Sequence, residues 1–192
     1  MLSPRHIPNI ISIGRIFLVY PVIAAMLYRD FNTALLLFTI AGLSDGVDGF
    51  LAKHYGWQSR LGSYLDPAAD KLLLVSSYIA LARLGLIPLW LTALVVARDI
   101  VIFTGAVAYY FLLRPFDGQP SLLSKLNTLC QLVLVFAVLI SHGIVAIPAG
   151  ILTTLIVLVA ATTLSSGILY VAAWGASYYR ETRASASVTK QD

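Results

Sequence analysis

The stretch that decides the fold reads Asp45-Gly-Val-Asp-Gly-Phe-Leu-Ala-Lys53 and, eight residues later, Gly62-Ser-Tyr-Leu-Asp66-Pro-Ala-Ala-Asp70-Lys71. It holds four of the nine acidic residues of the chain and is otherwise mostly small or apolar. Asp45 and Asp48 are three residues apart, and Asp66 and Asp70 are four apart, so each pair lies on one face of a helix. The short polar turn between the pairs predicts a helical hairpin at whose turn end the four carboxylates converge.

The composition around this stretch is that of a membrane protein. Of 192 residues, 59% are hydrophobic and 11% are charged, and the mean hydropathy is +0.85. A soluble domain carries about 25% charged residues, so this chain has too few polar groups to cover a water-facing surface. A charge at membrane depth costs about 2.5–3.5 kcal/mol on insertion scales, which makes the acidic cluster a candidate functional site.

Apolar runs of about 20 residues, each long enough to cross a bilayer, alternate with short polar breaks. The sequence therefore predicts an all-α polytopic membrane protein with six transmembrane helices, in a single domain over 1–180 followed by a polar, disordered tail over 181–192. The first run resembles a signal peptide, but Pro8, Asn9 and Arg15 interrupt its start, so we expect a retained helix. The predicted helices are 9–28, 32–53, 61–84, 88–113, 121–141 and 149–179.

The distribution of basic residues predicts the orientation. Nine Lys and Arg residues fall on the side of the predicted layout that holds the N-terminus, against only Arg29 and Arg83 on the other side. Basic residues concentrate in cytoplasmic loops, so both termini and the acidic turn are expected in the cytoplasm. The net charge of +4 fits anionic lipid headgroups better than nucleic acid, because no Lys/Arg stripe with interleaved aromatic residues is present.

Four carboxylates cannot stay ionised together in a low dielectric unless something compensates their charge. Either some are protonated or cations bind, and oxygen-only ligands favour Mg²⁺, Mn²⁺ or Ca²⁺. Two divalent ions neutralise the four charges and suit a displacement at a phosphoryl group. The alternative is an ion or proton pathway in a small transporter, although the sequence lacks the paired broken helices of two related halves. The small residues nearby fit either a substrate groove or plain helix packing.

The spacing Asp-x2-Asp-Gly-x2-Ala-x9-Gly-x3-Asp-x3-Asp, over 45–70, resembles the signature of the CDP-alcohol phosphotransferase family. The resemblance implies transfer of a phosphatidyl group from CDP-diacylglycerol to an alcohol, with release of CMP, by a homodimeric membrane enzyme. It also implies that Asp45, Asp48 and Asp66 bind two Mg²⁺ or Mn²⁺ ions. Asp70 is then the general base that accepts the hydroxyl proton of the acceptor, and it also contacts a metal.

The same resemblance assigns a CDP-diacylglycerol site. Gly49 and Ala52 border the cytidine with Asp45 and Gly62, and Lys53 contacts the diphosphate. The family usually has Arg where this chain has Lys53, so the positive charge is kept but the bidentate fork is lost. We interpret Arg15 as a residue whose long side chain reaches the membrane surface and places its charged group there. A role near the nucleotide is the alternative.

Two further polar features lie in apolar segments and concern the acceptor. Arg98 is followed by Asp99, and the alternative to a substrate role is a structural ion pair, although adjacent residues do not face each other well on a helix. Lys125 lies in the run 124–128, and its alternative is an interfacial lysine that extends to the membrane surface. Together, Arg98 and Lys125 are expected to bind an acceptor phosphate through charge-assisted hydrogen bonds.

The opening Ile7-Pro-Asn-Ile-Ile-Ser-Ile-Gly-Arg15 resembles the phosphatidylglycerophosphate synthase and cardiolipin synthase branch of the family. We expect glycerol 3-phosphate as the acceptor, with phosphatidylglycerol as the alternative and an inositol phosphate still open. The segments around Arg98 and Lys125 look closer to the cardiolipin synthases. The short loops suit a bacterial inner membrane with the active site facing the cytoplasm, and an organellar membrane is the alternative.

Overall fold

A computed structural model describes residues 7–55, 62–112 and 122–188, and the side chains of 10–47, 54–55, 66–105 and 122–172. Over these residues the chain is all-helical, as the sequence predicts, and helices α1 to α5 each begin and end within about two residues of the expected positions. The helices are α1 (Ile7–Leu27), α2 (Phe31–His54), α3 (Gly62–Arg83), α4 (Leu89–Leu112), α5 (Leu122–Gly143) and α6 (Ala149–Val188).

Helix α6 differs from the prediction because it is 40 residues long and continues to Val188. The end of the apolar run predicts that this helix stops at residue 179 before a disordered tail, and this prediction is wrong as far as Val188. No Gly or Pro interrupts the segment 176–188, and its Ala, Arg and Glu residues have high helix propensity. Loss of hydrophobicity marks where a membrane span ends, but it does not end a helix.

Two turns at the same end of the bundle show why the helices stop where they do. Arg29 and Gly85 have positive φ values of 62° and 73°, and a residue in this left-handed conformation commonly ends a helix. After α3, the amide of Leu86 donates to the carbonyl of Leu81 at 3.0 Å, which closes the last turn. Asp30 caps the N-terminus of α2, because its Oδ1 accepts a hydrogen bond from the amide of Thr33 at 3.2 Å. The Thr33 hydrogen bonds hold the pKa of Asp30 below its usual value.

The six helices pack in a ring. Helix α1 lies against α2 and α3, α2 against α5, α5 against α6, α6 against α4, and α4 against α3. The interior is mostly apolar, with fully buried Val22, Phe38, Tyr78 and Leu134. This arrangement brings the N-terminal helix between the two helices of the acidic hairpin, which the order along the chain alone does not indicate.

The outer surface of the ring is also apolar. Phe17, Tyr20 and Phe103 are all more than 70% exposed, and large contiguous apolar surfaces are rare on water-soluble monomers. Within the described part of the chain, three helical segments are long and apolar enough to cross a bilayer: Ile10–Leu27, Leu122–Gly143 and Ala149–Ala172. Three of the six predicted transmembrane helices, α1, α5 and α6, are therefore supported. The other three spans and the orientation of the termini stay predictions.

The contact between the end of α5 and the start of α2 is close enough to test. A Cβ atom on Gly143 would lie 2.7 Å from Asn32 Oδ1 and 3.2 Å from the backbone carbonyl carbon of Phe31. We expect Gly143→Ala to destabilise the protein by about 1 kcal/mol, because the Asn32 side chain has to move and the neighbouring backbone has to give slightly. Thermal unfolding in detergent measures the change. The control is Gly150→Ala, where an added Cβ would meet nothing within 4 Å; an equal loss in both variants would contradict the close contact.

Candidate active site

Arg15 of α1 is the centre of the acidic site. Its side chain is fully buried, and Nη1 donates to Asp45 Oδ1 of α2 at 2.7 Å and to Asp70 Oδ1 of α3. The two carboxylates come from different predicted pairs, so the hairpin does bring Asp45 and Asp70 together as the spacing indicates. One guanidinium nitrogen on a third helix thus bridges both acids.

Ser12 completes the contribution of α1. Its hydroxyl donates to Asp66 Oδ1, and Ser12 itself is fully buried. Ser12 and Arg15 are three residues apart, so they lie on one face of α1. That face continues as Val19, Val22 and Met26, which are all buried. The helix therefore has one buried stripe, polar beside the acidic residues and apolar along the rest.

The site lies at the open end of the bundle. The side chains of Asp45 and Asp70 are each 45% exposed, although Arg15 beneath them is not exposed at all. A Cβ added at Gly46, beside Asp45, would meet no atom within 4 Å. A charged ligand therefore has room to approach the carboxylates from outside, and the buried cation lies on the far side of them.

Several predicted site residues lie outside the described side chains. The side chains of Asp48, Ala52 and Lys53 are among these, and Gly49 and Gly62 also lie in the segments where only the helical backbone is described. Asp48, Gly49, Ala52 and Lys53 belong to the last turns of α2, and Gly62 is the first residue of α3. Their roles at the nucleotide and the metal remain predictions.

The described part of the acidic site holds no group of three or more His, Cys, Asp or Glu residues arranged as a metal site. The donor set nonetheless fits a hard cation, because it consists of carboxylate oxygens. The oxygens of Asp45 and Asp70 already converge on a positively charged nitrogen. A position where two carboxylates meet a cation in this way is chemically suited to Mg²⁺ or Mn²⁺.

A second polar cluster surrounds Arg98 in the middle of α4. Arg98 is 7% exposed; its Nη1 donates to Asp99 Oδ1 at 2.8 Å. Its Nη2 donates to Ser124 Oγ of α5 at 2.8 Å and to Ser166 Oγ of α6. The adjacent ion pair, which the sequence analysis considered geometrically poor, is therefore present. Arg98 Nε is buried without a hydrogen-bond partner.

Lys71 connects the two clusters. It follows Asp70 in α3, and its Nζ lies 2.6 Å from Asp99 Oδ2. Asp99 thus accepts from Lys71 on one oxygen and from Arg98 on the other. Two cations and one carboxylate leave one net positive charge in this cluster. The acidic site and a cationic site are consequently neighbours, one residue apart along α3.

Lys125 is placed differently from the prediction that paired it with Arg98. It is exposed, whereas the residue that reaches Arg98 from α5 is its neighbour Ser124. Consecutive residues of a helix point about 100° apart, so Lys125 does not point in the same direction as Ser124. A joint role at one acceptor phosphate remains untested, and Arg98 is the better placed of the two.

A cavity of about 560 Å³ opens beside the second cluster, between α3, α4 and α5. Polar groups occupy one part of its wall, and apolar side chains line the rest. Its residues include Lys71, Arg98, Asp99, Ser124, Val96 and Phe103. A second space of about 480 Å³ lies on the other side of Arg98, between α4 and α6, with an almost wholly apolar lining. Arg98 therefore lies between two cavities whose walls are mostly apolar.

Sequence reasoning missed Ser12, Lys71 and the central position of Arg15. The signal that was available is the spacing on α1: Ser12 and Arg15 continue the buried stripe of Val19, Val22 and Met26 at intervals of three and four. A basic residue on the apolar, buried face of a helix needs an acidic partner. The carboxylates expected at the same end of the bundle belong to the acidic hairpin.

Comparisons with known proteins point to one enzyme family. Residues 5–174 match the CDP-alcohol phosphatidyltransferase family. Two similar proteins are named cardiolipin synthase (CMP-forming): the rat protein is 40% identical over 70% of this chain and 50% of its own length, and the human protein is 40% identical over the same shares. A rice chloroplastic CDP-diacylglycerol–glycerol-3-phosphate 3-phosphatidyltransferase is 34% identical over 86% of this chain and 56% of its own.

The chain spans about half the length of these relatives. The matched segment nevertheless contains nearly all of the six-helix bundle, with both polar clusters. This match favours a transferase over the transporter that the acidic residues left open. It bears out the resemblance seen in the spacing of the aspartates, and the chain belongs to the CDP-alcohol phosphatidyltransferase family.

Proposed function

We propose that this protein transfers the phosphatidyl group of CDP-diacylglycerol to a glycerol-type alcohol in a membrane, with release of CMP. The observation that carries the proposal is the meeting of Asp45 and Asp70 on Arg15 at the open end of the bundle. Carboxylates gathered where a charged ligand has access suit metal-assisted phosphoryl transfer. The family to which the chain belongs supplies the reaction class.

The metal site of this proposal consists of Asp45, Asp48, Asp66 and Asp70. Mg²⁺ or Mn²⁺ bound there would neutralise the diphosphate and polarise its phosphoryl oxygens. Ser12 orients Asp66 through its hydroxyl hydrogen bond, as outer groups commonly orient metal-binding carboxylates. Gly49, Ala52 and Gly62, with Asp45, border the cytidine, and Lys53 pairs with the diphosphate.

Asp70 is proposed as the general base. Its carboxylate is half-exposed and therefore open to a substrate hydroxyl, and general-base catalysis contributes about 10²–10⁴-fold to a rate. It lies beside Lys71, which contacts Asp99 in the wall of the cavity. An acceptor held in that cavity would approach the base from the side opposite the nucleotide. Asp70 then takes the proton of the attacking hydroxyl on a carboxylate oxygen.

Phosphatidylglycerol is the acceptor that we favour, and the product is then cardiolipin. Two observations support it: the relatives at 40% identity are named cardiolipin synthases, and Arg98 has apolar space on both sides. The net positive charge of the Arg98 cluster suits a lipid phosphate, and the apolar walls suit acyl chains. Glycerol 3-phosphate, which the sequence analysis favoured, is supported by the rice relative, which matches more of this chain.

The surroundings of the enzyme follow from the same proposal. We propose six transmembrane spans, cytoplasmic termini, an active site facing the cytoplasm of a bacterial inner membrane, and a homodimer. The exposed apolar surfaces of α1 and α4 support the membrane environment. A relative with a chloroplastic name shows that organellar membranes also host this family.

The identity of the lipid product tests the acceptor. Purified protein in detergent micelles receives CDP-diacylglycerol and Mn²⁺ or Mg²⁺, with phosphatidylglycerol, glycerol 3-phosphate or an inositol phosphate offered separately. We expect CMP and cardiolipin with phosphatidylglycerol, as measured by nucleotide chromatography and lipid mass spectrometry. Phosphatidylglycerophosphate from glycerol 3-phosphate alone would overturn the choice of acceptor. No CMP with any of the three would overturn phosphatidyl transfer itself.

A further inference from the structure

We infer that Arg15 is an internal counter-ion that competes with the metal for the carboxylates of Asp45 and Asp70. This inference rests on the metal site of the proposed function. In the metal-free protein, the guanidinium offsets part of the negative charge of the two acids and holds them together. When a divalent cation binds, the guanidinium gives up the shared oxygens, so Arg15 tunes metal affinity and acts as a positioning residue.

The place of Arg15 in α1 carries the first step of this inference. Arg15 lies on the buried stripe of α1, where Val19, Val22 and Met26 pack against the rest of the bundle. Helix α1 contacts both α2 and α3, so the backbone at Arg15 cannot move away from the acidic hairpin without unpacking the helix. Only the side chain is able to shift, and its shift is confined to the site.

The charges carry the second step. The four proposed ligands, Asp45, Asp48, Asp66 and Asp70, contribute four negative charges and Arg15 one positive charge, which leaves three negative charges. That remainder exceeds the charge of one divalent cation. Arg15 therefore lowers the repulsion among the carboxylates enough for them to converge, but it does not remove the demand for a metal ion.

The shared oxygens carry the third step. Arg15 Nη1 contacts Oδ1 of both Asp45 and Asp70, and these oxygens also belong to the proposed metal ligands. A guanidinium has only donors and cannot itself coordinate a metal, and its charge repels a divalent cation at close range. The metal and Nη1 thus exclude each other from the point where the two oxygens meet.

Metal binding without substrate tests the competition directly. We expect Arg15→Gln to bind Mn²⁺ about tenfold more tightly than the wild type, a coupling of ordinary size between two interacting sites. Electron paramagnetic resonance of unbound Mn²⁺ in a detergent titration measures the affinity. Arg83→Gln is the matched control, because Arg83 is an exposed arginine in the last turn of α3, and we expect its Mn²⁺ affinity to equal that of the wild type.

Thermal unfolding separates competition from a merely structural ion pair. We expect Arg15→Gln to unfold at a lower temperature than the wild type without metal, and to gain more stability from saturating Mn²⁺. A structural ion pair would lower the midpoint equally with and without Mn²⁺ and would leave the affinity unchanged, and this result would overturn the inference. Weaker Mn²⁺ binding in Arg15→Gln would overturn the inference as well, because Arg15 would then favour metal binding and not compete with it.

Arg15→Lys keeps the inference testable where Arg15→Gln fails to fold. Lysine preserves the charge but loses the planar fork that reaches two carboxylates, so we expect a smaller gain in Mn²⁺ affinity. An affinity equal to or below that of the wild type would contradict competition. These titrations contain no CDP-diacylglycerol, so a wild-type protein that binds Mn²⁺ but releases no CMP would overturn the proposed function and leave this inference standing. A wild-type protein that binds no Mn²⁺ would overturn both.

Discussion

Replacing Asp70 by Asn is expected to reduce CMP release by about 10²–10⁴-fold, the range that a general base contributes. The amide keeps the size of the side chain but cannot take a proton from the acceptor hydroxyl. It also loses the ion pair with Arg15 that joins α1 to α3. CMP formation from CDP-diacylglycerol, measured with saturating Mn²⁺ and acceptor, gives the rate for the purified variant.

Asp30→Asn is the matched control for Asp70→Asn. Asp30→Asn is the same substitution at the opposite end of the bundle, where the Asp30 side chain caps the start of α2 by accepting a hydrogen bond from the amide of Thr33. Asn begins helices about as well as Asp, so we expect unchanged CMP release and an unchanged melting temperature. A rate for Asp70→Asn within a few-fold of this control would show that Asp70 is not the base.

Replacing Arg98 by Ala is expected to raise the KM for the acceptor by about 10- to 100-fold, which corresponds to the loss of one charge-assisted hydrogen bond of about 1.5–3 kcal/mol. The KM for CDP-diacylglycerol should change much less, because Arg98 lies beside the cavity and not in the acidic hairpin. Asp99 keeps its contact with Lys71 in this variant, so no buried carboxylate is left unpaired. Initial rates over a matrix of the two substrates separate the two constants.

Arg83→Ala removes an exposed arginine at the far end of α3 and serves as the control for Arg98→Ala. We expect both of its KM values to match those of the wild type. Equal increases in the two constants for Arg98→Ala would instead assign Arg98 to the packing of α4 against α5 and α6, through Ser124 and Ser166. The acceptor would then have to bind through other residues.

The helices were predictable from sequence because each apolar run is bounded by residues with strong local preferences. Gly85 takes a positive φ, and Pro88 immediately precedes α4. The break between the third and fourth helices is therefore set by the local conformational preferences of these residues. The end of α6 was not predictable in this way. Beyond the apolar run, nothing in the segment 176–188 opposes the helix, and hydropathy indicates only where a segment leaves the lipid.

The acidic site was only half predictable. The spacing of Asp45 and Asp70 within a hairpin is local information, and it placed the two carboxylates together correctly. The partner of both, Arg15, comes from a helix 30 residues earlier than Asp45. Its position depends on α1 packing between α2 and α3, which is a property of the ring of helices. A single basic residue near a helix end has too many local interpretations for sequence alone to choose among them.

The surroundings of Arg98 show the same limit. The sequence indicated a basic residue deep in an apolar helix, and the structure confirms that Arg98 is buried. Its partners on α5 and α6, and the contact between Lys71 and Asp99, join residues that are 26 to 68 positions apart. The sequence predicts that Arg98 and Lys125 bind an acceptor phosphate together. The structure places Ser124 of α5 against Arg98, and the joint role stays a prediction.

The most direct test of the account is metal-dependent CMP release at the acidic site. Purified wild-type protein and Asp45→Asn are incubated with CDP-diacylglycerol and phosphatidylglycerol or glycerol 3-phosphate, with Mn²⁺ or with a chelator. We expect the wild type with Mn²⁺ to release one CMP for each lipid product, and we expect the chelator and Asp45→Asn each to abolish this release. CMP release that continues at the wild-type rate in Asp45→Asn, or in the presence of the chelator, would contradict the assignment of this site as the active centre.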